Sequence, residues 1–112
     1  MADCIFCKIA SKQMKSDLVY DRDDVVAFRD IDPKAPKHFL VVPRKHVASV
    51  ADLADGDTAL VGRLLLAAKE VAAAQGLSSF RLVVNTGPDA GQTVPHLHVH
   101  VLGGRVLGWP PG

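Results

Sequence analysis

Residues 96–101 read HLHVHV, with a histidine at every second position and an aliphatic residue after each one. A period of two is the side-chain period of a β-strand, so residues 95–102 are predicted to form a strand. Its three imidazoles would project from one face, and Leu97, Val99 and Val101 from the other. The aliphatic face must be buried against another element, and the function of the histidine face has to be inferred from its chemistry. This stretch therefore predicts a sheet that is packed against a helix on one side.

The rest of the chain supplies the elements around this strand. Strands are predicted in residues 25–32, 39–42 and 80–87, and the turn-rich connector PKAPK joins the first two as an antiparallel pair. One long helix is predicted over residues 58–75, starting after Asp55 or Asp57 and ending at Gly76. Strands, a long helix and then strands indicate an α+β domain on a mostly antiparallel sheet. The helix is apolar around much of its surface, which fits either a dimer interface or burial between a sheet and a loop.

Composition excludes several classes of protein. The 112 residues are enough for one domain, 1–112, with 48% apolar residues, 22% charged residues and a net charge of +1. Without a block of like charge, binding to long nucleic acid or to a membrane surface is not expected. The chain has no apolar run of membrane-spanning length, and its start does not read as a signal peptide. Two cysteines spaced C-x-x-C give no disulfide framework, so we expect a soluble cytoplasmic protein.

Three interpretations of the histidine row compete: a solvated polar face, a metal triad and a catalytic row. Histidine is an unusual choice for a solvated face, whereas imidazole is both a common metal ligand and a nucleophile or acid near neutral pH. The flanking sequences NTG and AGQT offer an amide, a hydroxyl and loop N–H groups. Such groups bind phosphate and other oxyanions, which favours the catalytic row.

The motif HLHVHVL resembles the signature of the histidine triad (HIT) superfamily of nucleotide hydrolases and transferases. AGQTVPHLHVHVLGGR and the tail WPPG resemble the Hint branch, the histidine triad nucleotide-binding proteins. CIFCKI, AFRDIDPKAPKHFLVVPRKH and VVNTGPDAGQ resemble segments of that branch in the same order, so the likeness covers essentially the whole chain. It implies a HIT-like fold with a short N-terminal helix, assembled as a homodimer. It also implies hydrolysis of purine nucleoside 5′-phosphoramidates, with purine nucleoside monophosphates as ligands.

The resemblance assigns roles residue by residue. His98 matches the nucleophile, which would form a nucleotidyl-histidine; His100 matches the histidine that contacts the phosphate and helps protonate the leaving group; His38 matches a further histidine of the site. The alternative for His38 is a polar residue at a strand edge, and an Asp after a strand, such as Asp30, is more often a turn former. Without the resemblance, the apolar residues at the nucleotide-binding positions would be assigned to the core. The residues that match nucleotide-binding positions are Phe6, Phe28, Asp30, Ile31, Leu40, Asn85, Gly91, Gln92, Thr93, His100 and Trp109, the last reaching the partner subunit's site.

The two cysteines raise a separate question. A thioredoxin-like redox motif would need a preceding strand, and two reduced buried thiols are the simplest alternative. Some bacterial members of the superfamily are similar in this region, and the likeness implies a structural zinc held by Cys4, Cys7, His46 and His96, with no cofactor for catalysis. Many Hint-branch proteins lack the cysteines. Pro95 also departs from the branch, which usually has a bulky residue there, and proline removes a backbone donor.

Rival functions remain open from the sequence. Within the superfamily they are a dinucleoside polyphosphate hydrolase and a nucleotidyl transferase, although the WPPG tail argues against both. A nucleotide-sensing interaction module with residual activity is a rival from another class. A metal enzyme that uses all three histidines of the row is the last.

Overall fold

The computed structural model describes residues 4–22 and 24–112. Two helices and five strands organise these residues: α1 (Ile5–Ala10), β1 (Leu18–Asp21), β2 (Val25–Arg29), β3 (Lys37–Pro43), α2 (Thr58–Ala74), β4 (Phe80–Val83) and β5 (Val99–Gly103). The strands form one sheet in the order β1-β2-β3-β5-β4, and each neighbouring pair is antiparallel. The predicted α+β fold, with its long helix and short N-terminal helix, is confirmed. Within the described ranges, no helix has the length and apolar character needed to span a membrane.

The two faces of the sheet pack against different helices. On β2, Val25 and Ala27 join the core beneath α2, whereas Val26 and Phe28 join a second core beneath α1. Both faces of β2 are therefore buried, as the period of two requires when each face has a cover. The aliphatic residues between the histidines belong to the α2 core, as predicted: Leu97, Val99 and Val101.

The ends of α2 follow the prediction in position but not in every contact. Asp57 is the N-cap residue, yet its carboxylate accepts from Lys45 Nζ at 2.6 Å and from the Ala54 N–H at 2.9 Å instead of capping α2. At the other end, Gly76 adopts a φ of +75°. That left-handed conformation favours glycine and turns the chain out of the helix.

The predicted strand over residues 95–102 is wrong at its start, because β5 begins only at Val99. The His96 N–H donates to Val94 O at 2.8 Å, and the Leu97 N–H donates to Val47 O at 2.7 Å, so these donors are used outside the sheet ladder. Pro95 has no N–H to offer. As a result, His96 and His98 lie on a connecting segment, and only His100 belongs to the strand.

Other boundaries also differ from the sequence expectation. β2 ends at Arg29 and β4 at Val83, so residues 30–32 and 84–87 of the predicted strands lie in loops. β1 was not predicted. It is a four-residue edge strand with only partial burial, and so it carries little hydrophobic pattern.

Candidate active site and metal centre

A cleft on the α1 side of the sheet brings together most of the predicted site residues. It consists of two adjoining cavities that share Asp30, Thr93 and His100. The first has a volume of about 460 Å³, and its lining includes Asp30, His38, Asn85, Gly91, Thr93 and His100. The second has a volume of about 280 Å³, and its lining includes Phe6, Phe28, Ile31, Leu40 and His98.

His98 is held in a defined orientation at the inner wall of this cleft. The residue is 6% exposed, and its Nδ1 lies 2.7 Å from the carbonyl oxygen of His96. A carbonyl oxygen only accepts hydrogen bonds, so Nδ1 carries the proton of the neutral ring and Nε2 keeps a lone pair. The Phe6 ring meets the His98 ring edge-on, with 5.0 Å between centroids. This arrangement gives His98 a free imidazole nitrogen with nucleophilic character.

His38 and His100 form a coupled pair beside His98. His38 Nε2 lies 2.9 Å from His100 Nδ1, and the His100 ring centroid lies 4.9 Å from that of His98. Burial, followed by the neighbouring imidazoles of His98 and His38, lowers the pKa of His100 to about 4. Burial likewise lowers the pKa of His38. Both rings are therefore uncharged at neutral pH, because desolvation disfavours the cation.

His96 faces away from the cleft into a cluster of sulfur and nitrogen atoms. Its ring is fully buried, and Nε2 lies 2.8 Å from Pro43 O, so the proton is on Nε2 and the lone pair on Nδ1. That Nδ1 lies 3.3 Å from Cys4 Sγ and 3.4 Å from Cys7 Sγ, and His46 Nδ1 lies 3.3 Å from Cys7 Sγ. One ligand atom from each of these four residues falls within 4.8 Å of the others. Burial and the adjacent Cys4 raise the pKa of the Cys7 thiol.

The three histidines of the row do not converge on one point. Among the described residues, two groups have ligand atoms close enough together to hold a metal ion. His96 belongs to the first, together with the cysteines and His46, and His100 belongs to the second, together with Asp30 and His38. His98 belongs to neither group.

The remaining predicted residues lie at the margins of the cleft or outside it. Ile31 lines the smaller cavity although 95% of its surface is exposed. The Gln92 side chain braces the loop instead, accepting from the Gly87 N–H at 2.9 Å and donating to Ala48 O at 2.7 Å. Trp109 is 82% exposed and does not line the cleft of its own chain.

Sequence reasoning missed several residues of the cleft. Ile9 and Val94 line the smaller cavity, and Asp32 and Lys34 line the larger. Ile9 follows Phe6 by three positions on α1, so both side chains lie on one face of the helix. A helix of six residues is too short for this spacing to be recognised from the sequence. A further cleft of about 700 Å³, formed by residues 76–81 and 104–107, contains none of the predicted site residues.

Comparison with known proteins places this geometry in a family. The HIT domain model matches residues 11–107. An uncharacterized HIT-like protein of Synechococcus elongatus is 50% identical over 111 residues, covering 98% of this chain and 97% of that protein. The HIT family hydrolase of Legionella pneumophila has 46% identity and a TM-score of 0.96, over 98% of this chain and 100% of that one. A histidine triad protein of Clostridium difficile has 43% identity and a TM-score of 0.93, over 96% of each chain. With the match extending over nearly its full length, the chain belongs to the HIT domain family.

Proposed function

We propose that the protein is a hydrolase that cleaves the P–N bond of purine nucleoside 5′-phosphoramidates through a nucleotidyl-histidine intermediate on His98. The observation that carries this proposal is the 2.7 Å contact between His98 Nδ1 and His96 O, which leaves the other ring nitrogen as a lone pair. A buried imidazole held in one orientation, with the lone pair of its neutral form on the nitrogen that faces the cleft, is a prepared nucleophile. Relatives with closely similar structures are named HIT family hydrolases, which supports hydrolysis in general.

The proposed reaction has two displacements. His98 Nε2 attacks the α-phosphorus while the P–N bond breaks, and the amine departs with a proton supplied by the His38–His100 pair, which recovers it from the water of the second step. Water then attacks the same phosphorus and releases the nucleoside monophosphate from His98. Two moderate barriers replace one high barrier, and catalysis depends on positioning and on stabilising the phosphoryl charge. His100 and His38 line the cleft beside His98, so they are the groups we assign to the phosphate and to the departing amine.

The two cavities of the cleft suit the two ends of such a substrate. The smaller cavity has aromatic and aliphatic walls from Phe6, Phe28 and Leu40, which fit the flat face of a purine. The larger has the amide of Asn85, the hydroxyl of Thr93 and the backbone of Gly91, which fit a phosphoryl group. Asp30 lies where the cavities meet, so it is the residue we assign to the ribose hydroxyls. Gln92 would act indirectly, by bracing the loop that carries these groups.

We also propose a structural zinc at Cys4, Cys7, His46 and His96. Zinc–sulfur bonds near 2.3 Å and zinc–nitrogen bonds near 2.0–2.1 Å at tetrahedral angles separate sulfur from nitrogen by about 3.5 Å. Three of the sulfur–nitrogen distances in the cluster are 3.3, 3.3 and 3.4 Å. The His96 tautomer presents a lone pair to the site, and its other nitrogen is oriented by Pro43 O, an outer contact typical of histidine ligands. The donor set therefore fits zinc, which would hold the structure together while the catalytic steps use no metal.

A homodimer in the cytoplasm completes the proposal. Leu65 and Leu66 of α2 are 50% and 53% exposed, and β4 lies at an edge of the sheet with Phe80 39% exposed. A second copy that covers these groups would remove apolar surface from water and pair the edge strand. The exposed Trp109 would then be available to the partner's cleft. Free thiols at Cys4 and Cys7 fit a reducing compartment.

The test is to trap the intermediate. The protein is mixed with an adenosine phosphoramidate, quenched with acid-free denaturant and analysed by mass spectrometry for an adenylyl group on His98. We expect turnover and an adduct in the wild type, and neither in His98→Ala. Exposed Lys69→Ala, which lies outside the cleft, is the matched control and should keep both. Absence of adduct and turnover in the wild type would refute the proposal, and loss of turnover on zinc removal from a still folded protein would favour a metal enzyme.

A further inference from the structure

The connector between β2 and β3 contacts the His38–His100 pair, and the sequence gives no sign of this contact. The main-chain N–H of Lys34 donates to His38 Nδ1 at 3.0 Å. An N–H group only donates, so Nδ1 of His38 carries a lone pair and not a proton. Two acceptors face the opposite edge of the ring: Asp30 Oδ2 lies 3.4 Å and His100 Nδ1 lies 2.9 Å from His38 Nε2. Both sides of the ring thus require the proton of neutral His38 to be on Nε2.

This assignment fixes the state of His100 as well. The Nε2–H of His38 donates to His100 Nδ1, so a neutral His100 must carry its own proton on Nε2. His100 lines both cavities of the cleft, where it meets the proposed position of the phosphoryl group. In the reverse arrangement, the Nδ1–H of His38 would face the Lys34 N–H, placing two donors against each other in a buried site. That arrangement would also turn a lone pair of His100 towards the anionic phosphate.

We propose that the main-chain amide of Lys34 is a positioning group that sets the direction of the His38–His100 hydrogen-bond chain, so that His100 presents an N–H donor to the phosphoryl group. The proposal rests on the proposed function, which puts a nucleotide phosphate beside His100. The Lys34 side chain has a different task, because its ammonium pairs with Asp32 Oδ2 at 2.6 Å on an exposed surface. The role therefore belongs to the backbone and not to the lysine side chain.

The test compares two substitutions at one position in the full-length protein. Lys34→Pro removes the amide hydrogen, whereas Lys34→Ala keeps it and removes only the ammonium. Nitrogen-15 spectroscopy of the histidine side chains reports which ring nitrogen of His38 and His100 carries the proton. Calorimetry with AMP and with adenosine, which lacks the phosphate, reports whether His100 still offers a donor.

In the wild type and in Lys34→Ala we expect the proton on Nε2 of both rings. In Lys34→Pro we expect a mixture of tautomers. We also expect its AMP affinity to be roughly ten-fold or more below that of Lys34→Ala, the usual effect of losing a hydrogen bond to a charged group. Adenosine affinity should change far less, because the proposed purine walls of Phe6, Phe28 and Leu40 line only the smaller cavity and Lys34 lines only the larger. A proton on Nδ1 of wild-type His38 would overturn the proposal. So would unchanged AMP affinity in Lys34→Pro, or equal losses for AMP and adenosine.

If Lys34→Pro fails to fold, an ester bond in place of the Pro33–Lys34 amide provides the second variant. Prepared by chemical ligation on the Lys34→Ala chain, it replaces the N–H with an oxygen and is compared with Lys34→Ala itself. The experiments distinguish failure of the hydrolase proposal from failure of the proposal for the Lys34 amide. Tautomers and AMP selectivity as expected, without phosphoramidate turnover, would refute the hydrolase and leave the proton direction established for a nucleotide-binding site. Turnover with unaltered tautomers in the amide-deleted variant would refute only the role of Lys34.

Discussion

The protein uses the same side chain in two neighbouring regions with opposite chemical surroundings. In the proposed metal centre, the Nε2–H of His96 donates to Pro43 O, and the free Nδ1 faces two sulfur atoms. In the cleft, His96 O holds Nδ1 of His98, and the free Nε2 is left for a ligand. In both cases a backbone carbonyl fixes the tautomer, with the proton on Nε2 of His96 and on Nδ1 of His98. His96 and His98 are separated only by Leu97, yet the main chain binds a different ring nitrogen in each. The free nitrogen of His96 therefore faces sulfur, and that of His98 is left for a ligand.

Helix α1 joins the two regions physically. Cys4 precedes it and Cys7 lies within it, while Phe6 between them contacts both histidines. The Phe6 ring centroid is 6.0 Å from that of His96 and 5.0 Å from that of His98. Changes in the proposed metal centre should therefore reach the wall of the cleft. Three variants probe the two regions.

The largest effect is expected from removing both thiols with Cys4→Ser and Cys7→Ser. Loss of a bound ion costs RT ln(1 + [L]/Kd), or about 4 kcal/mol when free zinc is a thousand times its dissociation constant. We expect a melting temperature far below that of the wild type and little bound zinc by elemental analysis. A chelator should lower the wild-type melting temperature and leave the variant unchanged. Full zinc content in the double variant would show that the ligand set is wrong.

A smaller effect, shared by both regions, is expected from Phe6→Leu. The leucine keeps the apolar character and loses the edge-on ring contacts, so denaturant unfolding should show destabilisation of about 1 kcal/mol. Because the ring contacts both histidines, zinc affinity and adenosine affinity should fall together. Val26→Ala, in the same core but outside the lining of either cavity, is the control for packing alone. A fall in only one of the two affinities would mean that α1 does not couple the regions.

The smallest effect is expected in the slope of stability against pH for His100→Gln. The pKa of His100 is about 4 in the folded protein, below the ordinary value of 6.5. Between these values the unfolded chain binds a proton that the folded chain does not, so stability is lost as the pH falls from about 6.5 to about 4. Melting temperatures at equal zinc concentration should decline less steeply over this window in His100→Gln. Parallel curves for variant and wild type would contradict the lowered pKa of His100.

Much of the fold could be predicted because it depends on local pattern. The strands around Val25 and Phe39 and the helix after Asp57 follow from hydrophobic periodicity and terminal residues, and their existence is confirmed. The strand through His96 could not be bounded in this way. The alternation continues over residues 96–98, but the His96 N–H donates to Val94 O in a local turn and the Leu97 N–H donates to Val47 O in a distant loop. These backbone donors are therefore not available to the sheet.

The sequence by itself determined the alternation that separates imidazoles from aliphatic side chains, and the motifs that place the chain in the HIT domain family. Both are properties of residue order, and a period of two divides the faces wherever the chain is extended. Only the tertiary structure decided which histidine faces sulfur, which faces the cleft and which nitrogen of each ring is free. Those outcomes depend on the main-chain carbonyls of Pro43 and His96, which every residue type carries, and on the main-chain N–H of Lys34, which every type except proline carries. The residue letters at these positions therefore do not encode them.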